Sequence, residues 1–298
     1  MEASHCSQQV ARLGAVRALL FDLNGTLHVG SRQVGGAAAA LRRLERALRG
    51  RPFRFVSNTS KEGRVMLLAR LREAGLDGWV NERTLFTSLS AAAGACAAQG
   101  VRRPLLLLSA SAQADFAVRT PASAAQVDPT QHDGVVLGLS PEHLSYAWLD
   151  KAFLVLREGG RPLIATHKGR YFLSEAGQLA MGPGGFVRAL EFATGLESQV
   201  VGKPSEAFFR VVLASLADEL AGLRPDEVAM VGDDVLDDCA AARQLGLLSV
   251  LVRTGKYSAG DEARHPGACD LVVDDVSALA ALVEAAPRPQ PPPIGPKL

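Results

Sequence analysis

Residues Val16–Phe21 form a short, predominantly apolar run that breaks directly into Asp22-Leu23-Asn24-Gly25-Thr26. An apolar run of this length, bounded at once by polar turn residues, is the pattern of a strand buried on both faces of a parallel sheet. The figure recurs: Phe53–Val56 ends in Ser57-Asn58-Thr59-Ser60, and Val228–Val231 ends in Gly232-Asp233-Asp234. Helix-forming stretches lie between the runs. One follows Gly35-Gly36 and reaches Leu48; another spans Lys61–Ala74, with Leu67, Leu68, Leu71 and Ala74 on one side and Gly75 as a stop. Further helices are expected at 207–216, 237–245 and 276–285, and further strands at Val200–Val201, Leu248–Val252 and Leu271–Val273. Strand–helix alternation of this kind requires an α/β fold with a doubly wound parallel sheet covered by helices on both faces.

The middle of the chain has its own pattern. Strands are expected at Leu105–Leu108, Val135–Leu139, Leu163–Ala165 and Tyr171–Leu173, with a helix at Ser145–Glu158 and turns at Gly159-Gly160 and Gly182–Gly185. This reads as a second α/β unit inserted into the first. The expected division is an N-terminal tail over 1–13, a core from 14–88 and 189–286, an insertion over 89–188, and a disordered Pro-rich tail over 287–298.

The bulk numbers narrow the function classes. A formal net charge of +1 over 298 residues argues against a dedicated nucleic-acid binder. Cys6, Cys96, Cys239 and Cys269 contain no Cys-x-x-Cys pair, so free thiols are expected rather than a zinc or redox motif. The first residues lack a basic segment followed by an apolar one, and no apolar run approaches the roughly 20 residues that span a bilayer. The expectation is a cytoplasmic protein without membrane association, and the sequon Asn58-Thr59-Ser60 then carries no sugar. A homodimer is the default assembly for such a chain.

Ligands of doubly wound sheets sit beyond the carboxyl ends of the strands. Three polar clusters fall at such ends: Asp22–Thr26, Ser57–Ser60 and Gly232–Asp238, with Lys203 opening the helix before the third. An aspartate beside a cation can attack phosphorus in line, so Asp22 is a candidate nucleophile and metal ligand. Asp233 and Asp238 add the hard oxygen donors that Mg²⁺ prefers. Lys203 can neutralise a transferring phosphoryl group. Ser57, Asn58 and Thr59 can offer hydroxyl, amide and backbone donors to phosphoryl oxygens at the start of the next helix. Asp234 rivals Asp238 for the metal, and Asp237 reads as a surface charge or cap. His167, Lys168 and Arg170 either face a substrate or form a polar strand edge. Lys256 is either near the site or a surface loop lysine.

The four parts, Asp-Leu-Asn-Gly-Thr at 22–26, Ser-Asn-Thr at 57–59, Gly-Lys-Pro at 202–204 and Gly-Asp-Asp-Val-Leu-Asp-Asp at 232–238, resemble the haloacid dehalogenase superfamily of phosphohydrolases in content and order. The resemblance covers about 15–286 and implies a Rossmann-like core with a large α/β cap, of the kind found in the p-nitrophenyl phosphatase-like subgroup. Phe86–Leu89, His167–Tyr171, Val200–Pro204 and Arg253–Tyr257 point to a narrower branch of it. It implies Asp22 as nucleophile, and the Asp22 carboxylate, the Asn24 backbone carbonyl, Asp233 and Asp238 as Mg²⁺ ligands. It also exposes a departure. Most such phosphatases carry an aspartate where this chain has Asn24, and that aspartate protonates the leaving group and then activates water. An amide cannot exchange protons, and the loss of general acid–base help costs about 10²–10⁴ in rate. The implied function is a Mg²⁺-dependent phosphohydrolase acting through an aspartyl-phosphate, slow on ordinary phosphomonoesters. Its substrates would be pyrophosphate, acyl phosphates or phosphoramidates, whose leaving groups need no proton from the protein. The alternative is a catalytically weak or silent protein that keeps the fold for binding or regulation.

Overall fold

The computed structural model describes residues 10–287. The expected tails therefore lie outside the described residues over 1–9 and 288–298. Residues 10–15 are helical (α1), and Leu13 is fully buried, so the N-terminal tail expected through residue 13 does not extend that far. Its apolar side chain closes one face of the core.

In chain order the strands and helices of the first half are β1 (Ala18–Asp22), β2 (His28–Val29), β3 (Arg32–Gln33), α2 (Ala37–Ala47), β4 (Phe53–Ser57), α3 (Arg64–Glu73), β5 (Leu85–Thr87), α4 (Ser88–Ala98), β6 (Pro104–Leu107), β7 (Gly134–Leu137) and α5 (Tyr146–Arg157). The second half gives β8 (Leu163–Ala165), β9 (Tyr171–Leu173), β10 (Leu179–Met181), α6 (Gly184–Thr194), β11 (Gln199–Val200), α7 (Glu206–Ala217), β12 (Val228–Gly232), α8 (Ala241–Gln244), β13 (Leu248–Val252), α9 (Asp261–Arg264), β14 (Leu271–Val273) and α10 (Val276–Ala285).

Six of these strands form one sheet in the order β14-β13-β12-β1-β4-β5, and every pairing in it is parallel. Residues on β1 alternate between faces. Leu19 and Phe21 pack with α1, α2, α3 and α10, whereas Ala18 and Leu20 pack with α7 and α8. Both faces are thus buried, which is why β1 reads as an apolar run and not as an alternation. The order reverses beside β1, and the carboxyl ends of β1, β4 and β12 open side by side there.

A second sheet, β11-β8-β7-β6, is also fully parallel and is covered by α4 on one face and by α5 and α6 on the other. Here the expected boundaries shift. The sequence pattern places Val200 at the entry to the core, but it pairs with Ala165, and Gln199 with Ile164, at the edge of the cap sheet. Val187 and Leu190 of α6 belong to the cap's apolar cluster. The cap therefore runs to about residue 200 rather than 188, and the core resumes at Gly202. Two residues of strand carry too little periodicity to declare which sheet they join.

The helix expected over 237–245 is also modified. Residues Val235–Ala240 form a wide π-type turn, with the Cys239 N–H bonding the Asp234 carbonyl at 3.3 Å, before α8 begins. Such turns favour functional sites because they displace side chains from helical register.

Candidate active site

The carboxyl ends of β1 and β12 bring Asp22, Asp233 and Asp238 together, with one carboxylate oxygen of each lying within 4.8 Å of the others. All three side chains are buried. The wide turn after β12 carries Asp238 back under the strand end so closely that a Cβ on Gly232 would lie 2.1 Å from Asp238 Oδ2. Lys203 is buried between two of the acids, its Nζ donating to Asp22 Oδ1 at 2.5 Å and to Asp238 Oδ1 at 2.6 Å. Burial opposes the lysine's charge, but the two carboxylates outweigh it and raise its pKa, so the ammonium is retained. Thr26 donates to the other Asp22 oxygen at 3.1 Å.

Burial pushes the pKa of Asp233 well above the usual carboxylate range, and lifts that of Asp238 to about 6. Asp233 Oδ2 accepts the Lys256 N–H at 2.7 Å, while its buried Oδ1 finds no partner among the described residues. Two glycines make this packing possible. Gly25 and Gly255 both have positive φ, and a Cβ on either would fall within 2.1 Å of Asp233 Oδ2.

Asp234 has different work. Its Oδ1 caps the wide turn through the N–H groups of Leu236 and Asp237, each at 2.9 Å, and its Oδ2 pairs with Lys256 Nζ at 2.6 Å. Of the two rivals, Asp238 joins the acidic cluster. Asp237 is half-buried on the cavity wall, where burial and then Asp234 lift its pKa to about 7. Lys256 lies on the wall as well.

Asn58 lines the cavity, but its side chain is spent on the backbone of Lys203. Oδ1 accepts the Lys203 N–H at 2.8 Å and Nδ2 donates to the Lys203 carbonyl at 2.9 Å. The amide thus orients the lysine. Ser57 and Thr59 remain as hydroxyl groups on the wall, joined to each other at 2.9 Å.

The cap closes the cavity from the other side. Tyr171, Phe172, Leu173, Ser174 and Glu175 of the β9 hairpin line it, together with His167. His167 is neutral: burial, then Lys256 and Lys203, press its pKa down to about 3, and its Nδ1 accepts the Gly169 N–H at 3.1 Å. Lys168 turns away to Glu191 at 2.5 Å. Arg70 ties core to cap, reaching Glu62 at 2.9 Å and Glu175 at 2.6 Å. Asn24 Nδ2 meets the Leu173 carbonyl at 3.4 Å. His28, Glu62, Arg70 and Glu175 all line the cavity and were missed in the sequence. None sits at the polar end of an apolar run, the one signal that located the others.

Residues 19–118 match the family model for haloacid dehalogenase-like hydrolases, and residues 200–279 match a HAD-hydrolase-like model. The chain is 43% identical over 255 residues to human haloacid dehalogenase-like hydrolase domain-containing protein 2, covering 86% of this chain and 91% of that protein. The chain belongs to the haloacid dehalogenase-like hydrolase family. Human phospholysine phosphohistidine inorganic pyrophosphate phosphatase is 32% identical, with 91% and 96% covered. Among solved structures, 4-nitrophenylphosphatase from Thermotoga maritima superposes with a TM-score of 0.74 at 27% identity, covering 91% of this chain and 99% of that one. Glycerol phosphate phosphatase from Mycobacterium tuberculosis, solved in complex with magnesium, gives 0.73 at 27% identity, covering 94% and 82%. The chain is therefore a hydrolase of a family with phosphatase relatives, built as a Rossmann-like core with a cap. No helix among the described residues is long and apolar enough to cross a membrane.

Proposed function

We propose that this hydrolase cleaves small phosphorylated substrates in a Mg²⁺-dependent reaction through an aspartyl-phosphate on Asp22. The observation that carries the reading is the buried triad Asp22, Asp233 and Asp238 with a single lysine wedged among them. Three buried carboxylates against one ammonium leave excess negative charge, which repels a phosphate unless a cation is added. The orphaned Asp233 Oδ1 is an acceptor held ready for one. An all-oxygen donor set suits Mg²⁺. Asp22, Asp233, Asp238 and the Asn24 backbone carbonyl would hold the ion, and its chemistry there is to neutralise phosphoryl charge.

The remaining work falls to the chain. An Asp22 carboxylate oxygen attacks phosphorus in line, and the bond to the leaving group breaks with its electron pair. Lys203, oriented by Asn58, neutralises the transferring group. Ser57 and Thr59 offer hydroxyl donors to the phosphoryl oxygens. Water then opens the aspartyl-phosphate and restores Asp22. The cap hairpin keeps bulk water out during the transfer. Asn24 supplies no proton, so pyrophosphate, acyl phosphates and phosphoramidates fit better than alkyl phosphates.

The same asparagine favours a second reading, a weak enzyme kept for binding. Mg²⁺-dependent phosphate release from pyrophosphate, acetyl phosphate and p-nitrophenyl phosphate separates the two, with Asp22→Asn as control. The enzyme reading expects release by the wild type only. Equal release by both proteins on all three substrates sinks it.

A further inference from the structure

His167 follows β8, at the carboxyl end of a strand in the cap's parallel sheet, the end where such sheets present ligand groups. The loop that carries it is bonded to the loop that carries Lys203, the Gly202 N–H donating to the Thr166 carbonyl at 2.9 Å. A Cβ on Gly202 would lie 2.4 Å from that carbonyl oxygen, so the two loops approach as closely as glycine allows. His167 and Lys203 thereby line one cavity, from the cap and from the core.

One bond fixes the ring. Its Nδ1 accepts the Gly169 N–H at 3.1 Å. An amide N–H only donates, so Nδ1 is the bare nitrogen and the proton of the neutral ring sits on Nε2. That N–H has no hydrogen-bond partner among the described residues. It is not one of their sealed-in orphans either, which are His28 Nε2, Ser88 Oγ, Thr166 Oγ1, Ser198 Oγ and Asp233 Oδ1. His167 keeps 9% of its surface and lines the cavity. A rigidly held ring thus presents an open donor to the substrate space. Lys168, Arg70 and Lys256, by contrast, are already paired with carboxylates.

In-line attack by Asp22 expels the leaving group on the side away from it, and that side is the cap. Asn24 cannot protonate the departing oxygen, since its amide donates to the Leu173 carbonyl and has no proton to exchange.

We propose that the His167 Nε2–H donates to the leaving-group oxygen and stabilises the charge that grows there, so that the cap supplies by hydrogen bonding part of what Asn24 cannot supply by proton transfer. This rests on the phosphohydrolase reading above. Asp22 forms the new O–P bond, and the old P–O bond breaks with its electron pair on the leaving oxygen. His167 keeps its own proton, acting as a neutral imidazole electrophile. Water then protonates the freed oxygen.

The test has two arms, both with Mg²⁺. In the first, Asp22→Asn protein labelled with ¹⁵N-histidine is titrated with phenyl phosphate, binding being followed by ³¹P NMR. The His167 Nε2–H signal, assigned by its absence from His167→Gln, is expected to move downfield on binding. In the second arm, kcat/KM is compared on phenyl and p-nitrophenyl phosphate. Phenoxide is the poorer leaving group and needs more help. His167→Leu is expected to lower kcat/KM about 100-fold for phenyl phosphate and about tenfold for p-nitrophenyl phosphate. An unmoved Nε2–H with phenyl phosphate bound, no phenyl phosphate binding, no loss on either substrate, or a loss as large on p-nitrophenyl phosphate would overturn the proposal. Should His167→Leu fail to fold, the first arm decides, since it keeps His167 in place. Wild type that releases no more phosphate than Asp22→Asn would overturn the phosphohydrolase reading instead, and the NMR arm would still report on His167.

Discussion

An amide at position 24 can donate a hydrogen bond but cannot exchange a proton, and the structure gives it a donor's task at the Leu173 carbonyl of the cap hairpin. An aspartate there would restore the proton and lose that contact. Asn24→Asp should therefore raise kcat on alkyl phosphates, by up to the 10²–10⁴ or so that general acid–base catalysis supplies. It should raise KM as well, because a carboxylate beside a carbonyl loosens the cap. Steady-state kinetics on glycerol phosphate check both, and no gain in a folded variant would mean that position 24 is not the acid/base slot. At this scale much was legible in advance. Asp22, Lys203, Asp233 and Asp238 follow apolar runs or turn signals, so chemistry and local pattern coincide. The clamp of Asn58 on Lys203 joins residues 145 apart in the chain, and no local pattern reports it. The contact of Arg70 with Glu175, 105 residues apart, was hidden for the same reason.

Elements show where local reading stops. Strands β1, β12, β13 and β14 were readable because each is an apolar run between turns. The two-residue strand β11 reads as a core strand in the sequence, and only its pairing with β8 shows that it belongs to the cap sheet. Glu191 on α6 marks the consequence. It lies inside the cap and pairs with Lys168 at 2.5 Å, Arg188 at 2.9 Å and the Ser198 N–H at 2.9 Å. Burial works to raise its pKa, but Lys168 and the Ser198 N–H overcome this and hold it at about 2. A depressed acid stabilises the fold above its unfolded pKa, and that contribution is lost as pH falls through the folded value. The affected window runs from about 4.5 down to about 2. Glu191→Gln should lower stability at pH 7 by about 1–3 kcal/mol and flatten the pH dependence of the thermal midpoint across that window. An unchanged acid limb would mean that Glu191 is not a linked group.

At the scale of the molecule, two parallel sheets meet over one acidic cavity, and charge balance governs its behaviour. Without a cation, Asp233 is a buried acid whose ionised form is penalised by burial, with one oxygen unmatched among the described residues. Mg²⁺ should therefore raise the thermal midpoint, with about 2.7 kcal/mol of stabilisation at one hundred times its Kd. Asp233→Asn should abolish that shift, and in EDTA it should melt no lower than the wild type because the amide carries no ionised form for burial to penalise. An unaltered Mg²⁺ shift in Asp233→Asn, read by differential scanning fluorimetry, would mean that the ion binds elsewhere. The two-layer plan was visible in the sequence as two sets of strand–helix alternation. How the cap seats on the core was not, because Ser60 Oγ accepting the Leu139 N–H at 2.9 Å and Arg70 reaching Glu175 are contacts between distant segments.

The proposed reaction requires that Asp22 become phosphorylated. Acid-quenching the enzyme with Mg²⁺ and acetyl phosphate, reducing it with borohydride and mapping the peptide around residue 22 by mass spectrometry tests this directly. Reduction of an aspartyl-phosphate converts that aspartate to homoserine. Homoserine is expected at Asp22, dependent on substrate and Mg²⁺. Active turnover with Asp22 unmodified, or homoserine formed at Asp233 or Asp238 instead, would contradict it.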